Sequence, residues 1–114
     1  VCSQLIGRKY EYGSSDCIHL VFDALDILEI ANPGVQADWY NMSPKQVLGE
    51  LEFYCDRLVS PSYDGDMVLL NVRPMAFGVL WQRGILYINN LLSAVDWKPV
   101  GNFSIRRSYR MKNP

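Results

Sequence analysis

Histidine is nearly missing from this chain, which has a single one, His19, among 114 residues. With one imidazole, three scattered cysteines and no Cys-x-x-Cys pair, a tetrahedral zinc site lacks its usual ligands, so neither a metal nor another cofactor is expected. Cys2, Cys17 and Cys55 are odd in number, which argues against the disulfide framework of a small secreted domain. No apolar run approaches the ~18–20 residues that span a bilayer. The opening Val1-Cys2-Ser3-Gln4-Leu5 lacks the basic and apolar regions of a signal peptide, so the expectation is a protein that stays where it is made. Repeats, low-complexity tracts and linkers are also lacking, which leaves one domain over residues 1–114.

Charge is scarce in net terms but unevenly spread. The formal net charge is −1, yet residues 1–66 hold 11 of the 12 acids and 4 of the 11 basic residues. Residues 67–114 hold only Asp96 against seven basic residues. Two readings stand: two solvated faces of one fold, or a polar molecule whose basic end docks on an acidic surface, that of a like subunit included. Nucleic acid fits less well, because the run Arg106, Arg107, Arg110, Lys112 is short and thinly interleaved with aromatics.

The apolar spacing gives the elements. Residues 3–7 read as a short helix with Ser3 as N-cap and Gly7 closing it. Residues 16–30 carry Ile18, Val21, Phe22, Leu25 and Leu28 at three- and four-residue steps, the stripe of a buried helix face. Ser14, Ser15 and Asp16 can cap its first turn, and Asn32-Pro33-Gly34 stops it. Ser43-Pro44-Lys45-Gln46 opens a second helix running to about Leu58. The period then changes to that of strands at 66–71, 77–81, 85–89, 94–98 and 104–111, with Gln82-Arg83-Gly84 as a hairpin connection. The class is α+β, with helices about 3–58 packed on one face of an antiparallel sheet of about five strands at 66–111.

Chemistry concentrates in Tyr10-Glu11-Tyr12-Gly13-Ser14-Ser15-Asp16-Cys17-Ile18-His19-Leu20-Val21. A cysteine in the first turn of a helix meets unpaired N–H groups and the positive end of the dipole, which favours the nucleophilic thiolate. Cysteine also serves as a small buried residue at helix starts. The passage resembles the active-site segment of the NlpC superfamily of papain-like peptidoglycan peptidases, through Leu5-Ile6-Gly7, Tyr10, Tyr12-Gly13, Asp16-Cys17 and Leu20-Val21. Gly65-Asp66 before Met67-Val68-Leu69-Leu70 matches the pair that opens the family's first core strand. Ala76-Phe77-Gly78-Val79, then Gly84 and Tyr87-Ile88-Asn89, match its next hairpin. The likeness covers roughly residues 3–90. It implies Cys17 as nucleophile, Tyr10 as substrate-positioning residue and Asn89 in the orienting position, with the family's base histidine replaced by Ala76.

An alanine methyl accepts no proton. His19 does not stand in, because residues two apart on a helix point about 200° away from each other. General acid–base help is worth ~10²–10⁴ in rate, so a thiol without it is expected to be a poor peptidase. NlpC-like domains also occur in bacteriophage tails. The resemblance, with the lost base, therefore implies a structural or assembly component of a tail or virion, made in the host bacterial cytoplasm and contacting other tail proteins. The competing expectation is an active cysteine peptidase or amidase on peptidoglycan peptides.

Other features admit bland readings beside sharp ones. Trp39, Trp81 and Trp97 suit either the core or a ligand platform. Asp64 and Asp66 suit either a turn or a carboxylate pair. Arg106, Arg107 and Arg110 suit either a clamp for phosphate or carboxylate, or charge protecting a final edge strand.

Overall fold

The computed structural model describes residues 1–72 and 76–112. Two helices and six antiparallel strands make an α+β fold: α1 (Cys17–Ile27), α2 (Pro44–Tyr54), β1 (Cys55–Leu58), β2 (Met67–Leu70), β3 (Ala76–Trp81), β4 (Gly84–Asn89), β5 (Ala94–Pro99) and β6 (Ile105–Met111). The strands lie in the order β1-β6-β2-β3-β4-β5. Among the described residues no helix is long and apolar enough to cross a membrane.

Local chemistry explains the helix ends. Asp16 is the N-cap of α1, its side chain accepting the His19 N–H. The helix stops earlier than Asn32-Pro33-Gly34 suggests. Ile30 N–H donates to Leu25 O and Glu29 N–H to Asp26 O, with Glu29 at φ 60°. That is a Schellman closure in which a glutamate takes the left-handed position usually filled by glycine. The start of α2 matches its sequence signature: Ser43 and Gln46 form a reciprocal capping box around Pro44. Ser3, in contrast, caps nothing; it lies inside a 3-10 turn spanning Cys2–Leu5 that begins after Val1.

The second helix ends at Tyr54, not Leu58, and residues 55–58 form a sixth strand. Cys55 pairs with Met111 and Leu58 with Ser108. Strand β6 is therefore interior, between β1 and β2, which removes the edge-strand reading of its arginines. The edge is β1, where Asp56 and Arg57 are exposed. At the other edge, the start of β5 is covered by residues 7–10: Gly7 and Tyr10 donate to Val95 O and Ser93 O, and Val95 N–H donates to Arg8 O.

Alternation along the strands gives the sheet two apolar faces. One face packs Met67, Leu69, Val79, Leu86 and Tyr109 against both helices, through Leu20, Val21 and Leu25 of α1 and Val47 and Leu51 of α2. The other buries Val68, Leu70, Leu80 and Ile85 beneath Phe103 and Ile105. The β3–β4 hairpin turns on Gln82 and Arg83, both at positive φ, between the Trp81–Gly84 pair. All three tryptophans have packing roles. Trp39 lies against Phe22, Trp81 is buried, and the Trp97 indole crosses Gly84 and donates Nε1–H to Trp81 O at 2.8 Å.

Candidate functional site

The segment preceding α1 is held by one carboxylate. Asp16 is 5% exposed, and its two oxygens take four hydrogen bonds. Oδ1 accepts from His19 N–H and contacts His19 Nδ1, both at 3.0 Å. Oδ2 accepts from Gly13 N–H at 3.0 Å and from the Tyr40 hydroxyl at 2.5 Å. Burial pushes this carboxyl upward, but the His19 N–H, the Tyr40 hydroxyl, the His19 side chain and the Gly13 N–H together hold it below its ordinary value. The same arrangement pushes the Tyr40 phenol upward, first by burial, then by its bond to Asp16 and the charge there.

Tyr40 reaches the site from a 3-10 turn, Ala37–Asn41, in the connection between the helices. Its hydroxyl is 2.8 Å from His19 Nδ1, and the two rings stack with centroids 6.0 Å apart. Since the hydroxyl proton goes to Asp16, the consistent assignment puts the second proton on His19 Nδ1, donated toward Asp16 and Tyr40. Asp16, His19 and Tyr40 thus form a closed triangle. Helix spacing set His19 aside as facing away from Cys17, and this cluster was missed. Its local signal was the Asp-x-x-His spacing across the helix start; Tyr40, 24 residues from Asp16, gave none.

Beside the triangle lies a cavity of about 250 Å³ lined by Cys17, Tyr12, Trp39, Tyr40, Met42 and Phe77, among others. The Tyr12 ring meets Tyr40 edge-on at 5.2 Å between centroids. Cys17 is half-buried, and burial pushes its thiol above the ordinary value. The Asp16 charge adds to this, outweighing the N–H groups of Phe77, Cys17 and Ile18 that favour thiolate. This corrects the expectation that a helix-end position yields an activated thiolate here. Among the described residues no hydrogen bond joins His19 to the Cys17 sulfur.

The other sequence-predicted positions scatter. Ala76 packs with Val68, Leu70 and Leu80 on the far face of the sheet, so it does not oppose the thiol. The residue that does is Phe77, one position along and on the helix-facing side. A one-residue step along a strand reverses the face. Neither side chain can take a proton. Asn89 is likewise away from Cys17. It ends β4, donates to Asp96 Oδ2 at 3.1 Å and accepts from Leu91 N–H and Leu92 N–H, a turn-closing role. Tyr10 is 45% exposed and near enough to Asp16 and Cys17 to feel their charges.

The arginines do not form one clamp. Arg110 is bound through Nε and Nη2 to Asp66, both at 2.7 Å, and lies 4.4 Å over the Tyr63 ring. Asp66, 1% exposed, also accepts from Ser62 N–H and Tyr63 N–H, closing the turn before β2. Arg107, on the opposite face of β6, pairs with Glu52 at 3.6 Å. Asp64 accepts from Gln82 N–H rather than joining Asp66 as a carboxylate pair. No family model, curated protein or solved structure matches the chain.

Proposed function

We propose that this chain is an NlpC-like domain whose thiol chemistry has lapsed and that it serves as a structural or assembly component of a bacteriophage tail or virion. The observation that carries the loss of catalysis is the pairing of Cys17 with Phe77. The thiol is half-buried and held neutral by its surroundings, and an aromatic ring occupies the sheet position facing it. Amide hydrolysis needs a base to ionise the nucleophile and an acid to protonate the leaving amine. Among the described residues no imidazole is hydrogen-bonded to the Cys17 sulfur. His19 is engaged at Nδ1 with Asp16 and Tyr40.

The family part of this reading rests on the order of motifs, Tyr10, Tyr12-Gly13, Asp16-Cys17 and Gly65-Asp66. It is supported by the packing of α1, which starts at Cys17, against β3. The tail part rests on the resemblance alone. The test has two halves. Purified chain incubated with muropeptides is expected to give no turnover above that of Cys17→Ser. Deleting the coding region from a tailed-phage genome that carries it is expected to leave particles with defective or missing tails. Turnover that vanishes in Cys17→Ser identifies a peptidase instead. Intact tails without the chain reject the assembly role.

A further inference from the structure

The cavity beside Cys17 has a chemistry of its own. Four of its lining side chains are aromatic: Tyr12, Trp39, Tyr40 and Phe77; Met42 and Cys17 add soft sulfur. Among the described residues no lysine or arginine lines it. Behind Tyr40 stands the buried Asp16 carboxylate, whose charge acts on Tyr10, Cys17 and Tyr40 alike. Ring faces are the negative part of the aromatic quadrupole, and the Asp16 anion bonded to the Tyr40 hydroxyl adds negative potential on that side of the cavity.

The hydrogen-bonding inventory narrows the ligand. All four bonds on Asp16 are already made, and the Tyr40 hydroxyl is bound to Asp16. A primary ammonium entering the cavity would meet only the Tyr12 hydroxyl and the weakly accepting Cys17 sulfur for its three N–H donors, at a desolvation cost. A quaternary ammonium has no donors to satisfy, and its diffuse charge suits aromatic faces. Size is compatible. A cavity of roughly 150 Å³ holds benzene, and this one, at about 250 Å³, has room for a trimethylammonium head with a short chain.

We infer that the cavity formed by Tyr12, Trp39, Tyr40 and Phe77 binds a small free solute carrying a trimethylammonium group. The inference is independent of whether Cys17 retains chemistry and of any role in a particle. Tyr12, 69% exposed, is the outer wall and can be changed without opening the core.

Intrinsic tryptophan fluorescence and calorimetry on the full chain, with choline, its neutral carbon isostere 3,3-dimethylbutan-1-ol, and ethanolamine, test this. Choline is expected to bind at least about tenfold more tightly than either comparison compound. Tyr12→Phe is expected to keep that preference, and Tyr12→Leu to reduce choline affinity by about tenfold while leaving the isostere unchanged. Equal binding of choline and the isostere would mean a merely apolar cavity and would overturn the inference. So would tighter binding of ethanolamine, or no binding of choline at millimolar concentration. Capture by phosphatidylcholine vesicles without binding of free choline would overturn the assignment to a free solute.

Discussion

The Tyr40 hydroxyl and the Asp16 carboxylate are joined at 2.5 Å, tying the connection between the helices to the cap of α1. The acceptor is buried and ionised, so the bond belongs to the stronger class. Removing the donor leaves the carboxylate with one partner fewer.

Tyr40→Phe deletes one oxygen and keeps the ring. It is expected to lower unfolding free energy by about 1.5–3 kcal/mol, the range for hydrogen bonds to charged groups. Urea unfolding followed by fluorescence checks this. A loss below a few tenths of a kcal/mol would mean the link carries little.

Acid should loosen the fold through two carboxylates. Asp16 and Asp66 are both held below their ordinary value, despite burial that pushes each up, by donors that include Tyr40 for Asp16 and Arg110 for Asp66. A depressed folded-state value contributes stability that is complete above the unfolded-state value, near 3.9. That stability is lost as pH falls through the folded-state value. Urea midpoints are therefore expected to be flat from neutral pH to about pH 5 on account of these groups and to fall steeply below about pH 4. Asp66→Asn should flatten part of the acid limb while lowering the plateau. An acid limb unchanged in Asp16→Asn and Asp66→Asn would assign it to other groups.

The facing of Cys17 and Phe77 makes a sharp comparison possible. Installing an imidazole as Phe77→His is expected to speed alkylation of Cys17 by iodoacetamide at neutral pH by about tenfold or more, by stabilising thiolate. Ala76→His is expected to leave the rate unchanged, because residue 76 packs on the other side of the sheet. In the unaltered chain, the Cys17 rate should rise with pH to a midpoint above the ordinary thiol value. Peptide mass spectrometry separates Cys17 from the buried Cys2 and Cys55.

Gly84 is indispensable for steric reasons alone. A Cβ built there lies 2.1 Å from Trp97 Cε2 and 2.3 Å from Cζ2 and Nε1. The indole cannot retreat without breaking its bond to Trp81 O. Gly84→Ala is expected to cost about 1–3 kcal/mol or more by overpacking, readable as a fall in the thermal midpoint. A neutral result would show that β4 and β5 can separate freely.

Much of this layout was readable in the residues, and the exceptions have physical causes. The capping box at Ser43 and Gln46, the cap at Asp16 and the alternating strands from Met67 onward are local signals, and each is present. Strand β1 was hidden because Val47, Leu51, Tyr54 and Leu58 continue a helical spacing past Tyr54. What ends the helix is pairing with residues 108–111, 50 to 56 positions away in the chain. The end of α1 was hidden because a glutamate, not a glycine, adopts the left-handed turn. The position opposite Cys17 was misread by one residue, which in a strand is the difference between facing the helices and facing away. The Asp16–His19–Tyr40 triangle had half a signal: its two helical members are near in sequence, but the tyrosine that completes it arrives from a connection with no pattern.

The placement of β6 bears on how the molecule assembles. Without residues 105–111 the remaining strands fall into an isolated β1 and a β2–β5 meander, because β1 and β2 share no ladder of their own. The meander can form early, from hairpins close in sequence. Adding β6 to β2 and β1 to β6 pairs residues distant in the chain, the kind of non-local contact that slows folding. Until then the Asp66 carboxylate lacks its Arg110 partner, so the completed sheet and the satisfied charge arrive in one event.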